Sequence, residues 1–219
     1  MSLSYQKAYH KIKARKEGIR PKPVWGSWGR FYDRLFTLKD KLVLDFGSDI
    51  EAPLYQRFQS ENRDGKGRYM GYDVGDDAVS WLKQNGYFYD FCNDDSQIGS
   101  FDLIVASQAY EHLTEVEREG FLARAHKLLS GSGLLIVDAP YIANLNLIEF
   151  FKRDRSHRPL ALEDEAAYFE TFGFRVDAYI GGRTAPYRSL WWNLWRFAGN
   201  IALGYYPFYV VLFYATKTS

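Results

Sequence analysis

Residues 41–53 read KLVLDFGSDIEAP. The apolar run Leu42–Phe46 stops at one glycine, Gly47, and Pro53 follows at a position that helices accept in their first turn. Strand, glycine turn and helix make the unit from which open α/β sheets are built, and ligands of such sheets bind past the carboxyl ends of the strands. This turn carries three carboxylates, Asp45, Asp49 and Glu51. It lacks the three glycines of a dinucleotide-binding turn and the Gly-Lys-Ser/Thr of a phosphate loop. In a partly desolvated site its acids would repel a pyrophosphate. A phosphate-bearing cofactor is therefore disfavoured.

Working outward, further strands are expected at Tyr69–Asp73, Tyr87–Phe91, Asp102–Ser107, Leu134–Asp138, Phe174–Ile180 and Tyr209–Thr216. Helices are expected around Leu54–Gln59, Asp76–Gln84, Glu115–Leu129, Leu145–Lys152 and Leu162–Phe172. Thr114 and Glu117 form a capping box before the third helix, Gly131 is placed to end it, and Val116, Leu122, Ala125 and Leu128–Leu129 recur at helical spacing. Strands alternating with helices imply a mostly parallel sheet covered on both faces.

The chain has 219 residues, 47% of them hydrophobic, which is enough for one large domain with a substantial core. Its net charge of +1 hides an asymmetry. Residues 1–24 hold seven lysines and arginines against Glu17, or +6, so the remainder carries −5. The expected organisation is a basic arm, 1–24, followed by a single domain, 25–219. Such an arm is suited to phosphates on nucleic acid or lipid headgroups, and equally to a solvated extension. The single cysteine, Cys92, cannot form an internal disulfide, and the N-terminus has no apolar signal region. A cytoplasmic location is expected.

S-adenosylmethionine has no phosphate, and its ammonium and sulfonium outnumber its carboxylate, so an acid-rich turn with one glycine suits it. The segment VLDFGSD (43–49) resembles the first motif of class I S-adenosylmethionine-dependent methyltransferases, although Asp49 and Glu51 stand where further glycines are common. Three more segments resemble that family in order: YMGYDV (69–74), YFYDFCNDD (87–95) and FDLIVASQAYEHL (101–113). The resemblance implies a Rossmann-like seven-stranded sheet whose last strand is antiparallel. It also implies S-adenosylmethionine as cofactor, held by Asp45, Gly47, Asp49, Asp73 on the ribose hydroxyls, Asp90 on the adenine amine and Phe91 beside the ring.

Transfer to a hydroxyl needs a base, and His112 and His157 lie beyond strand ends. RDRSHRP (153–159) resembles a loop of bacterial methyltransferases associated with glycan and cell-envelope biosynthesis, in which Asp154, His157 and Arg158 would grip hydroxyls or a phosphate. No His-x-x-x-His or Cys-x-x-Cys pair supports a metal. The uncharged run 197–216 is long enough for a membrane span, but Gly199, Asn200, Gly204 and Pro207 interrupt it and its end is needed as the last strand. Trp191, Trp192 and Trp195 are suited to a substrate-pocket cover, a dimer contact or peripheral membrane contact. The expected function is methyl transfer to oxygen or nitrogen of a small-molecule or glycan-like acceptor. An RNA methyltransferase using the basic arm and a non-catalytic module with a degenerate cofactor motif are the alternatives. The terminal position of the basic charge and the acidity of the rest argue against nucleic acid.

Overall fold

The computed structural model describes residues 22–23, 28–49, 53–93, 100–141, 162–182 and 209–218. The strands are β1 (Lys22–Pro23), β2 (Leu42–Phe46), β3 (Arg68–Tyr72), β4 (Phe101–Ser107), β5 (Leu129–Tyr141), β6 (Phe174–Gly182) and β7 (Tyr209–Lys217). The helices are α1 (Trp28–Leu35), α2 (Pro53–Glu61), α3 (Asp76–Gln84), α4 (Glu115–Leu128) and α5 (Leu162–Thr171). The seven strands lie in one sheet, in the order β1-β6-β7-β5-β4-β2-β3. β2 is parallel to β3 and β4, and β4 to β5, while β7 runs antiparallel between β5 and β6. The α/β, mostly parallel architecture expected from the sequence is what the chain adopts.

The strand count differs from the expected set. Among the described residues six strands have five or more residues, and Tyr87–Phe91 is not one of them. It contributes one parallel bridge, Gly71 to Phe88, in which the Gly71 amide donates to the Tyr87 carbonyl and the Tyr89 amide to Gly71. The physical reason is Asp90, whose carboxylate accepts from the Cys92 and Asn93 amides and folds the chain into a turn. At the opposite edge Lys22 and Pro23, assigned to the basic arm on sequence, pair with β6.

Alternation along β2 divides the core. Leu44 and Phe46 face a cluster completed by Phe121, Leu122 and Ala125 of α4 and Phe169 of α5. Val43 faces the other layer, with Leu54 and Phe58 of α2, Leu82 of α3 and the flanks of α1. Gly71 lets α3 approach, because a Cβ there would lie 2.5 Å from Leu82 Cδ2.

The capping box of α4 forms as expected: the Glu117 amide donates to Thr114 Oγ1 at 3.3 Å, and the Thr114 amide to Glu117 Oε2 at 2.7 Å. Two expectations for this helix are corrected. Gly131 does not end it, because the chain turns extended at Leu129 and enters β5 directly. Val116 does not face the core; it lies in the first turn of α4 and is 76% exposed, while Phe121 fills the layer.

Candidate active site at the strand ends

After β2 the chain goes to one side to form β3 and then returns to the other side as β4. That reversal opens a crevice at the carboxyl ends of β2 and β4, the place where sheets of this kind hold ligands. The turn closing β2 is suspended from β3. The Gly47 and Ser48 amides donate to the Tyr72 carbonyl at 2.8 and 3.3 Å, and the Asp49 amide donates to Asp73 Oδ2 at 3.0 Å. Asp73 Oδ1 accepts from the Gly75 amide at 2.8 Å, so both oxygens are aimed by backbone.

Gly47 is in the left-handed region, φ 76°, and a Cβ there would come within 2.5 Å of the Ala109 methyl. Glycine thus serves both the turn and the close approach of the β4 end. Gln108, just before Ala109, is also left-handed at φ 55°. Its amide donates to the Asp138 carbonyl at 2.9 Å and its Nε2 to Asp138 Oδ1 at 2.7 Å, clasping β4 to β5. Left-handed backbone at a non-glycine is held only where surroundings enforce it. A 3-10 turn, Tyr110–His112, follows, with Tyr110 and Glu111 buried and His112 exposed.

The sequence candidates fall into three groups. Gly47, Asp49 and Asp73 are brought together by the hydrogen bonds above, and His112 stands three residues beyond the Ala109 contact. Asp45, Asp90 and Phe91 are nearby but engaged. Asp45 is buried on the α2 side of the sheet and accepts from the Tyr69 hydroxyl at 2.8 Å. The Asp90 carboxylate holds its own turn, and Phe91 is buried against Phe46, Tyr72 and Phe121. Asp154, His157, Arg158 and Trp191 lie outside the described residues. Among the described residues no three His, Cys, Asp or Glu side chains cluster as metal ligands, and no helix is long and apolar enough to cross a membrane.

Gln108, Ala109 and Asp138 were not anticipated. The signal for Asp138 was available: a carboxylate ending the apolar run LLIVD, residues 134–138. For Ala109 no local signal exists, since its role is a contact with Gly47.

Two outcomes follow from the turn. Burial pushes the Asp45 carboxyl from 3.8 up to about 7; the Tyr69 hydroxyl opposes this and the Asp73 charge adds to it. The folded chain binds that proton more tightly than the unfolded one, so this contribution to stability is full below about pH 4 and is lost as pH rises towards 7. Asp45→Asn is expected to flatten the fall in melting temperature across that interval. Asp49, at φ 55°, is not in the first turn of α2, which starts at Pro53. Asp49→Gly should therefore gain about 1 kcal/mol from relieved left-handed strain while keeping its amide on Asp73. A thermal melt reads the gain, and titration of the same variant with S-adenosylmethionine reads whether the carboxylate contacts it.

No protein-family model and no curated protein matches the chain. Solved structures do. A chain in the complex between the Haloferax volcanii Trm112 methyltransferase activator and a methyltransferase aligns over 100% of this chain and 99% of its own, at 14% identity and TM-score 0.63. A TehB-like S-adenosylmethionine-dependent methyltransferase from Corynebacterium glutamicum aligns over 98% and 96%, at 16% identity and TM-score 0.55. The fold is that of the class I methyltransferases. Haemonchus contortus phosphoethanolamine N-methyltransferase 2, in complex with S-adenosyl-L-methionine, shares it over 97% of this chain and 56% of its own longer one, at 16% identity and TM-score 0.57. Within this methyltransferase fold the Gly47 turn, Asp73 and the Ala109 contact occupy the switch-point crevice.

Proposed function

We propose that the chain is an S-adenosylmethionine-dependent methyltransferase acting on oxygen or nitrogen of a small-molecule or glycan-like acceptor. The observation that carries this reading is the Asp73 carboxylate, fixed by two backbone amides beside the bare Gly47 turn at the switch point. Each Asp73 oxygen accepts one amide and keeps a lone pair, which together suit the vicinal hydroxyls of a ribose. No lysine or arginine stands on residues 47–49 or 73–75, so the turns favour a cationic ligand over a phosphate. Asp45 would support the turn from beneath, and Phe46, Tyr72 and Phe91 would furnish an apolar aromatic wall. Bound there, the cofactor supplies an electrophilic methyl group on a sulfonium.

On the acceptor side the reading rests on sequence: His112 or His157 takes the acceptor proton, and Asp154, Arg158 and Trp191 hold the acceptor. Calorimetric titration with S-adenosylmethionine and S-adenosylhomocysteine, with NAD as control, tests the cofactor; binding of NAD alone overturns it. For the base, His112→Ala or His157→Ala should lower turnover by 10²–10⁴-fold, on the order of a general-base contribution, with cofactor affinity nearly unchanged. Full activity of both variants would exclude histidine base catalysis. An RNA acceptor would instead show as affinity falling steeply with salt.

A further inference from the structure

Beneath the 3-10 turn that carries His112 lies a buried charged group joining elements far apart in the chain. Arg118, in α4, places Nη1 2.7 Å from Glu165 Oε1, in α5, with the two side chains only 10% and 13% exposed. The Tyr110 hydroxyl donates to the other carboxylate oxygen at 3.2 Å. Arg118 Nη2 reaches the Glu111 carbonyl at 3.4 Å, and its guanidinium lies 5.1 Å over the Tyr110 ring. That ring is fully buried between Phe121 and Phe169.

Stability does not account for this arrangement. An ion pair taken out of water gains little over apolar side chains of the same volume, and here, among the described residues, Arg118 Nε is buried without a hydrogen-bond partner. Directional bonds do what apolar contact cannot: they set orientation. The first residue of the turn is held through its hydroxyl and the second through its carbonyl, and the third is His112. On the other side of the turn Ala109 meets Gly47. A rotation of the turn therefore moves the Gly47 contact and His112 together.

We propose that Arg118 and Glu165 are positioning residues that lock the His112 turn to α5, fixing His112 and the Gly47–Ala109 contact in one orientation. The role in binding rests on the methyltransferase reading; the orientation of His112 does not. The test compares wild type, Glu165→Gln and the apolar triple variant Tyr110→Phe/Arg118→Met/Glu165→Leu. Each is measured by melting temperature, S-adenosylhomocysteine titration and the NOE contacts of the His112 ring at one fixed pH, assigned with His112→Gln. Glu165→Gln should weaken binding by about fivefold or more, the low end of coupling between sites, and change the His112 ring contacts. The triple variant should recover melting temperature without recovering either. The proposal is overturned if folded Glu165→Gln leaves affinity and the His112 ring contacts unchanged, or if the triple variant restores both. If wild type binds no S-adenosylhomocysteine the functional reading fails, and the His112 ring contacts in the ligand-free chain alone decide the positioning role.

Discussion

Gly47→Ala is expected to lose about thirtyfold or more in affinity for S-adenosylmethionine. A left-handed conformation costs about 1–2 kcal/mol for a residue with a Cβ, and forcing an extra methyl into a packed contact costs about 1–3 kcal/mol. The new Cβ would sit 2.5 Å from Ala109 Cβ at φ 76°, so both penalties apply. Together they come to about 2–5 kcal/mol, roughly one and a half to three and a half decades if the turn must keep this shape to bind. Because the clash is with Ala109, Gly47→Ala/Ala109→Gly should regain the packing part and keep the backbone part. Calorimetry on wild type, both single variants and the double variant separates them. Unchanged binding in a folded Gly47→Ala would place the ligand elsewhere.

Asp73→Ala should weaken binding at least tenfold, because hydrogen bonds to a charged acceptor contribute about 1.5–3 kcal/mol each. The same change also removes the acceptor of the Asp49 and Gly75 amides, so a loss of stability must accompany it. Asp73→Asn distinguishes the two effects. It keeps the shape and one carbonyl acceptor, so melting temperature should fall less than in Asp73→Ala while affinity still drops. A variant that melts early but binds as wild type would make Asp73 a turn support only.

What could be read in advance followed locality. Leu42–Phe46 and Asp76–Gln84 appear with the ends read from sequence, because the apolar run and the helical spacing lie within the element itself. Gly47 and Asp73 were legible for the same reason, each standing at the end of a strand read from its own residues. The Tyr87–Phe91 strand failed because alternation shows that a segment can pair, whereas Asp90 determines that it stops. Trp28–Leu35 was missed as a helix, since its apolar residues follow a basic stretch and pack on a sheet made by distant segments, as the Phe31–Tyr179 ring contact with β6 shows. Arg118–Glu165 left no trace at all. Ion pairs between residues 47 positions apart have no local pattern, and only the fold brings them together.

The place of β7 has a consequence for how the chain acquires its structure. β5 and β6 each use it as their neighbour, yet it is made after both, with residues 183–208 intervening between β6 and its partner. During synthesis at about 5–20 residues per second, β5 emerges seconds before β7 can pair with that edge. Hydrophobic strands with open edges are templates for pairing between molecules. The half of the sheet with β2, β3 and β4 can assemble from nearby contacts, while the other half must wait for a late insertion. Nascent chains stalled before Tyr209 are the species in which a chaperone would find the most to bind.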